Sequence, residues 1–188
     1  MRKLAVFNSV SIDGYFVDLN GDMSWAHRNA DDAEWNENVN GNASSDDGPL
    51  VFGRITYEMM ASFWPTPMAA EQMPVVAAHM NSRPKIVISR SLSEATWQNT
   101  TLLSDGVADA IRRLKNESGP DMTILGSGSI VAQLTEAGLI DSFQMVVLPV
   151  VLGGGRTMFD GVSGRPPLRL TACRQFANGN VALTYDLA

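Results

Sequence analysis

The chain has 188 residues, 45% of them hydrophobic, which is enough to bury one substantial core and too few to favour two, so a single domain over residues 1–188 is expected. The formal net charge of -6 argues against a nucleic-acid partner, because neutralising phosphates needs a basic surface. A single cysteine, Cys173, excludes an internal disulfide and a thiolate-rich zinc site, and the two histidines, His27 and His79, stand in no metal-ligand pattern, so no metal is expected.

The opening Met1-Arg2-Lys3 runs directly into Leu4-Ala5-Val6-Phe7, and Asn8-Ser9 cuts this apolar run short, unlike an export signal. No segment approaches the roughly 20 apolar residues that span a bilayer, so a soluble cytoplasmic protein with no membrane partner is expected. Residues 4–10 read as the first strand. Residues 18–25 and 36–48 lack apolar periodicity, the second being crowded with Asn, Ser, Asp and Gly, and both read as loops. Strands follow at 50–52 and 86–88. Val107, Ile111 and Leu114 then mark a helix, with Ser104 or Asp105 placed to cap it. A strand at 122–125 leads to a second stripe, Ile130, Val131, Leu134 and Ala137, closed by Gly138 in a left-handed conformation. A strand at 143–152 precedes Gly153-Gly154-Gly155 and two more strand-like segments, the last at 181–187. Strands alternating with helices imply a largely parallel sheet, and the closing segments imply an antiparallel finish, so the fold class is α/β with a mixed, mostly parallel sheet flanked by helices.

Three strand ends carry anion-compatible chemistry. Gly53-Arg54 stands between a strand and a helix, where unpaired N–H groups favour an anion and the guanidinium adds a fork of donors. Gly126-Ser127-Gly128-Ser129 again follows a strand and opens a helix, with glycines that let a backbone approach a ligand. Val131 occupies the third glycine position of the dinucleotide fingerprint, which disfavours the usual Rossmann arrangement. Ser89-Arg90 closes another strand, at the carboxyl edge where open α/β sheets bind their ligands. Each of the three can equally be an ordinary turn; together they point to a nucleotide with several phosphates.

Gly53-Arg54-x-Thr56-Tyr57 resembles a segment of the dihydrofolate reductases and their relatives, and Gly126-Ser127-Gly128-Ser129 is similar to that family's second glycine motif. Ser11-Ile12-Asp13-Gly14 resembles the first-strand motif of the reductase domain of bacterial riboflavin biosynthesis, as does Pro149-x-x-Leu152-Gly153-Gly154-Gly155 with Phe159. The correspondence covers nearly the whole chain. It implies a dihydrofolate-reductase-like fold, a homodimer, and NADPH as hydride donor, with Arg54, Thr56, Ser89 and Arg90 near the adenosine half and Gly126 to Ser129 around the pyrophosphate. The 2′-phosphate would lie beside Arg54 and Arg90. The substrate implied is a small heterocycle or carbonyl, such as the ribosylaminopyrimidine 5-amino-6-(5-phosphoribosylamino)uracil. Alternatives are a dihydrofolate or pterin reductase and a noncatalytic nucleotide sensor. The stretch Ser24-Trp25-Ala26-His27-Arg28-Asn29-Ala30-Asp31-Asp32 lacks the proline of true dihydrofolate reductases and leaves open which acid would reach the substrate, and no zinc-deaminase motif is present.

A nicotinamide carries the hydride chemistry itself, so the protein must orient substrate, exclude water and manage one proton. Asp13 is the candidate catalytic residue, for orienting or protonating the substrate, with Asp32 and Glu34 as alternative acids; an Asp-Gly turn explains Asp13 equally well. Ser11, Trp25 and Tyr57 are candidate substrate contacts, the rings as stacking faces together with Phe63 and Trp64, although rings of this size also serve as core. The 18–23 loop is placed to close over a cofactor.

Overall fold

The computed structural model describes residues 1–27, 32–44, 47–104 and 106–188. Strand β1 (Leu4–Ser11) is followed by helix α1 (Ala33–Ser44), β2 (Leu50–Gly53), and three helices, α2 (Arg54–Phe63), α3 (Pro67–Gln72) and α4 (Pro74–Ser82). Next come β3 (Lys85–Ile88), β4 (Thr100–Leu103), α5 (Val107–Asn116), β5 (Met122–Leu125) and α6 (Gly128–Glu136). The chain ends with β6 (Ser142–Leu148), β7 (Leu168–Gln175) and β8 (Val181–Leu187).

The strands form one sheet in the order β4-β3-β2-β5-β1-β6-β8-β7. Strands β1 to β6 are mutually parallel, while β8 runs antiparallel to both β6 and β7. The carboxyl ends of six strands therefore face one edge, which is where the three candidate motifs fall.

Side-chain alternation puts each parallel strand between two apolar layers. Leu4, Val6, Val10, Val51, Ile86 and Ile88 pack on one face, against Ala110 and Ile111 of α5 and Ile130, Val131 and Leu134 of α6. Leu50, Phe52 and Val87 point to the other face, against Tyr57 of α2, Val76 and Met80 of α4, and Trp97. A neighbouring cluster on Val146 and Leu148 holds Trp25, Phe7 and Trp35. This two-sided burial is a doubly covered α/β core, as the sequence pattern predicts.

Several boundaries differ from the sequence reading. Residues 36–48 fall largely in α1, not in a loop. Asp32 starts that helix, its Oδ1 accepting from Trp35 N–H at 2.9 Å. None of the α1 residues is buried, so the helix carries no apolar stripe to detect. Its hold is divided: the Trp35 ring meets Phe176 edge-on with centroids 5.0 Å apart, Glu34 and Asn38 face Arg174, and the partly buried Val39 and Ala43 pack against the second core cluster. The strand expected over 143–152 ends at Leu148, because Pro149 has no N–H to continue the ladder. The cap position of α5 is Gly106, with no side-chain bond, and Asp105 lies outside the described residues. Strand β4 and helices α3 and α4 carry too little period to be read. Gly138 does adopt the left-handed conformation, with φ of 63°, and Leu139 N–H closes on Leu134 carbonyl at 2.9 Å.

Candidate cofactor site at the carboxyl edge of the sheet

Adjacent strands β2 and β5 bring the two glycine motifs together, and Ser127 ties them. Its Oγ accepts from Gly53 N–H at 2.8 Å, and its own N–H donates to Thr56 Oγ1 at 3.1 Å. Gly126 and Ser127 take successive left-handed conformations, φ 58° and 59°, which turn the chain sharply from β5 into α6. A methyl group at Gly126 would come within 3.0 Å of Thr56 Cγ2, and one at Gly53 within 3.1 Å of Ile130 Cγ1. Gly53, Thr56, Gly126 and Ser127 are thus one interlocked unit, whose polar atoms largely serve one another.

The free donors are the helix starts. Neither α2 nor α6 has a side-chain cap, in contrast to α3, where Thr66 Oγ1 accepts from Ala69 N–H. Among the described residues the first N–H groups of α6, on Gly128 and Ser129, have no side-chain cap, and they carry the positive end of the helix dipole. Ser129 is exposed, and Gly128 is covered by Phe16, whose ring carbons would lie 2.7 Å from any Cβ there.

Arg54 is half exposed and pairs with Glu58 one turn on, at 2.9 Å. Arg90 is exposed and makes no ion pair among the described residues. Ser89 shapes the turn beneath it, its Oγ accepting from Ser91 and Leu92 N–H at 3.1 and 3.0 Å.

Asp13 occupies a different part of the edge, beyond β1. Its two carboxylate oxygens accept from Leu152 N–H at 3.1 Å and Gly153 N–H at 2.8 Å. The Ser11 hydroxyl, with the Gly153 and Leu152 N–H groups, holds this carboxyl below its usual range. Asp13 is therefore an ionised latch joining the turn after β1 to the glycine run after β6. Ser11 is buried and closes the same turn, its Oγ accepting from Tyr15 N–H at 3.0 Å.

The expectation of aromatic stacking is corrected for two rings. Tyr57 is 2% exposed, packed with Phe52 and Trp97, and its hydroxyl accepts from Trp97 N–H at 2.9 Å. Trp25 is 5% exposed and its indole donates to Asp22 carbonyl at 3.2 Å. Both rings are packed into core clusters, Tyr57 with Phe52 and Trp97 and Trp25 with Val146 and Leu148. Phe63 and Trp64 keep partly open faces and meet edge-on, 5.1 Å apart. The alternative acids are engaged elsewhere, Asp32 as the cap of α1 and Glu34 with Arg174 and Ala177 N–H. Arg28 to Asp31 lie outside the described residues.

Two residues at this edge escape sequence reasoning. Asn8, 3% exposed in the middle of β1, donates from Nδ2 to Gly126 carbonyl at 3.2 Å, so it braces the second glycine turn from beneath. Its signal is a lone amide in the alternation Val6-x-Asn8-x-Val10. Arg156 follows the glycine run and stands over the Phe16 ring, 5.9 Å from its centroid.

A mostly parallel sheet whose carboxyl edge carries two linked glycine turns and uncapped helix starts defines a dihydrofolate-reductase-like α/β protein. The chain belongs to the RibD C-terminal domain family, whose model matches residues 2–182. It is 24% identical over 184 residues to YyaP of Bacillus subtilis strain 168, covering 98% of this chain and 94% of the relative. Among solved structures, a Shewanella sp. PV-4 protein ascribed to riboflavin biosynthesis matches with a TM-score of 0.76 at 23% identity, over 99% of both chains. Dihydrofolate reductase from Enterococcus faecalis, complexed with NADP(H) and RAB-propyl, matches with a TM-score of 0.64 at 16% identity, over 98% of this chain and 96% of that one. These likenesses show the fold. No helix among the described residues is long and apolar enough to cross a membrane.

Proposed function

We propose that the protein is a cytoplasmic NADPH-dependent reductase that transfers a hydride to a small heterocyclic or carbonyl substrate, with a ribosylaminopyrimidine of the riboflavin type as the leading class. The observation that carries this reading is the juxtaposition of uncapped helix starts on β2 and β5 with two cations, Arg54 and Arg90, on the neighbouring ends of β2 and β3. Family membership and a fold neighbour that binds NADP(H) support it.

The residues present fit a dinucleotide. Gly128 and Ser129 N–H groups would hold the diphosphate, and Arg54 and Arg90 the 2′-phosphate. The Arg54–Glu58 pair does not oppose this: an exposed i,i+4 ion pair contributes about 0.3–0.5 kcal/mol, whereas a hydrogen bond to a charged group contributes about 1.5–3 kcal/mol. A phosphate dianion outcompetes Glu58. When bound, NADPH supplies the hydride. Asp13, ionised and held by two N–H groups, acts as the orienting residue of the β1 turn, and Ser11 fixes that turn from inside.

The chain acts as a homodimer in this reading. All eight residues of β7 are exposed, with Leu168 at 44% and Leu170 at 50%, and an open apolar edge of this kind is ordinarily covered.

Titrating the protein with NADPH and, separately, NADH, by nicotinamide fluorescence and tryptophan quenching, tests the cofactor assignment. Micromolar NADPH binding with clearly weaker NADH binding is expected. Equal affinity for both would remove the 2′-phosphate assignment, and binding of neither would remove the reductase reading. Sedimentation tests the dimer.

A further inference from the structure

We propose that Arg156 is the cationic anchor of a second oxyanion site, distinct from the Arg54–Arg90 pair, which takes a phosphate or carboxylate group. The proposal goes beyond the NADPH reading and does not depend on it.

The argument starts with the backbone. Phe16 N–H donates to Arg156 carbonyl at 3.0 Å and Arg156 N–H donates to Val17 carbonyl at 3.1 Å, forming a short antiparallel bridge between the segments that follow β1 and β6. Gly155 makes the approach possible: with φ of 147°, a Cβ there would fall 2.0 Å from Val17 carbonyl oxygen. The arginine that follows is consequently fixed at its Cα while its side chain stays exposed.

Among the described residues the guanidinium has no carboxylate partner. It forms no ion pair among the described residues, and its one ring contact is with Phe16. The nearest acid in sequence across the bridge is Asp18, whose Oδ1 is already taken by Asn20 and Asp22 N–H, each at 2.8 Å. In a chain of net charge -6, an unpaired cation held by a rigid backbone at the ligand edge of the sheet is a specific place for an anion.

Space exists beside it. A cavity of about 270 Å³ is lined by Asp18, Leu19, Asn20, Gly21, Gly155 and Arg156. The Phe16 ring beneath Arg156 also covers Gly128 at the start of α6. An oxyanion here could belong to the substrate or to the diphosphate of the cofactor. The free Asp18 Oδ2 would accept from a hydroxyl on the same ligand.

The test uses inorganic phosphate and pyrophosphate as probes, following the backbone amide signals of Asn20, Gly21 and Gly155 by NMR. Saturable shifts are expected in the wild type and in R54A, at least tenfold weaker in R156A, and largely restored in R156K. NADPH titration of R156A then assigns the source: a dissociation constant raised about tenfold points to the cofactor diphosphate, and an unchanged one to a substrate-borne anion. Probe responses that are absent in the wild type, or identical in wild type and R156A, would overturn the proposal. If the wild type binds no NADPH but responds to phosphate through Arg156, the reductase reading fails and this site stands.

Discussion

The two edges of the sheet use the same basic side chains in opposite ways. At the amino edge, cations are buried and consumed by the protein. Lys115, 7% exposed, bonds Asp141 and the Leu139 carbonyl, and Asp141 in turn accepts from Leu4 N–H at 2.7 Å. Arg2, 8% exposed, donates from Nε to Pro120 carbonyl at 2.6 Å. Lys85, 1% exposed, donates to Asn81 and Arg83 carbonyls and lies 4.5 Å from the Trp97 ring centre. At the carboxyl edge, Arg54, Arg90 and Arg156 stand in solvent, one in a weak pair and two in none among the described residues. The buried cations have internal partners, and the exposed ones are those that the proposed function and the second-site proposal assign to a ligand.

Breaking each edge should give different losses. The largest is expected from G155A, where a Cβ has no room against Val17: the bridge between the two segments must part, at a cost of more than about 3 kcal/mol in urea unfolding, against about 1 kcal/mol for G138A, whose Cβ meets nothing within 4 Å. Similar costs for the two would contradict the close approach. Next is K115M, which strips Asp141 of its cation. Asp141 is 36% exposed, which discounts the loss to about 2 kcal/mol, and NADPH affinity should not move.

The carboxyl-edge counterpart reverses that pattern. R54A with R90A should leave stability within about 0.5 kcal/mol of the wild type and weaken NADPH about tenfold, equivalent to about 1.4 kcal/mol, while NADH is nearly indifferent. A large loss of stability with no change in affinity would make these arginines structural.

A further effect is in pH. Burial, and then the charge of Arg83, push the Lys85 amine down to about 8 from 10.5. The unfolded chain therefore holds this proton more tightly than the folded one, and stability should rise from about pH 8 toward 10.5. K85M should flatten that rise. Asp13 and Glu136 act with the opposite sign: both carboxyls are held below their usual values, Glu136 by the Ser163 hydroxyl and the Gly164 and Ser163 N–H groups, so their contribution is present above the ordinary carboxylate range and lost as acidification protonates them.

The parallel core was legible because strands covered on both faces are written as short continuous apolar runs, such as Leu50-Val51-Phe52 and Ile86-Val87-Ile88. Helices α5 and α6 were legible through their one-sided stripes. Helix α1 was not, since only Trp35, Val39 and Ala43 of its twelve residues meet apolar neighbours and none is fully buried, and its Asn, Ser and Gly content made it look like a loop. The glycine motifs were visible as positions but not as a unit: no local rule announces that Ser127 bonds Gly53 and Thr56 from 74 and 71 residues away. Aromatic residues misled in the other direction, because type alone does not separate a ring that stacks on a ligand from one, like Tyr57, whose hydroxyl is spent on a neighbouring loop. Arg156 was passed over because its partner residues, Phe16 and Val17, lie far away in sequence.

The stitching of the turn after β1 to the run after β6 also sets how this edge can move. Five hydrogen bonds, two to Asp13, one from Ile12 N–H to the Val150 carbonyl and two between Phe16–Val17 and Arg156, hold the base of the intervening loop. At about 1 kcal/mol each, they leave a fully lifted loop populated at roughly one molecule in five thousand. Motion at lower cost falls to the tip beyond Val17, so this edge carries a short flap on a fixed hinge line.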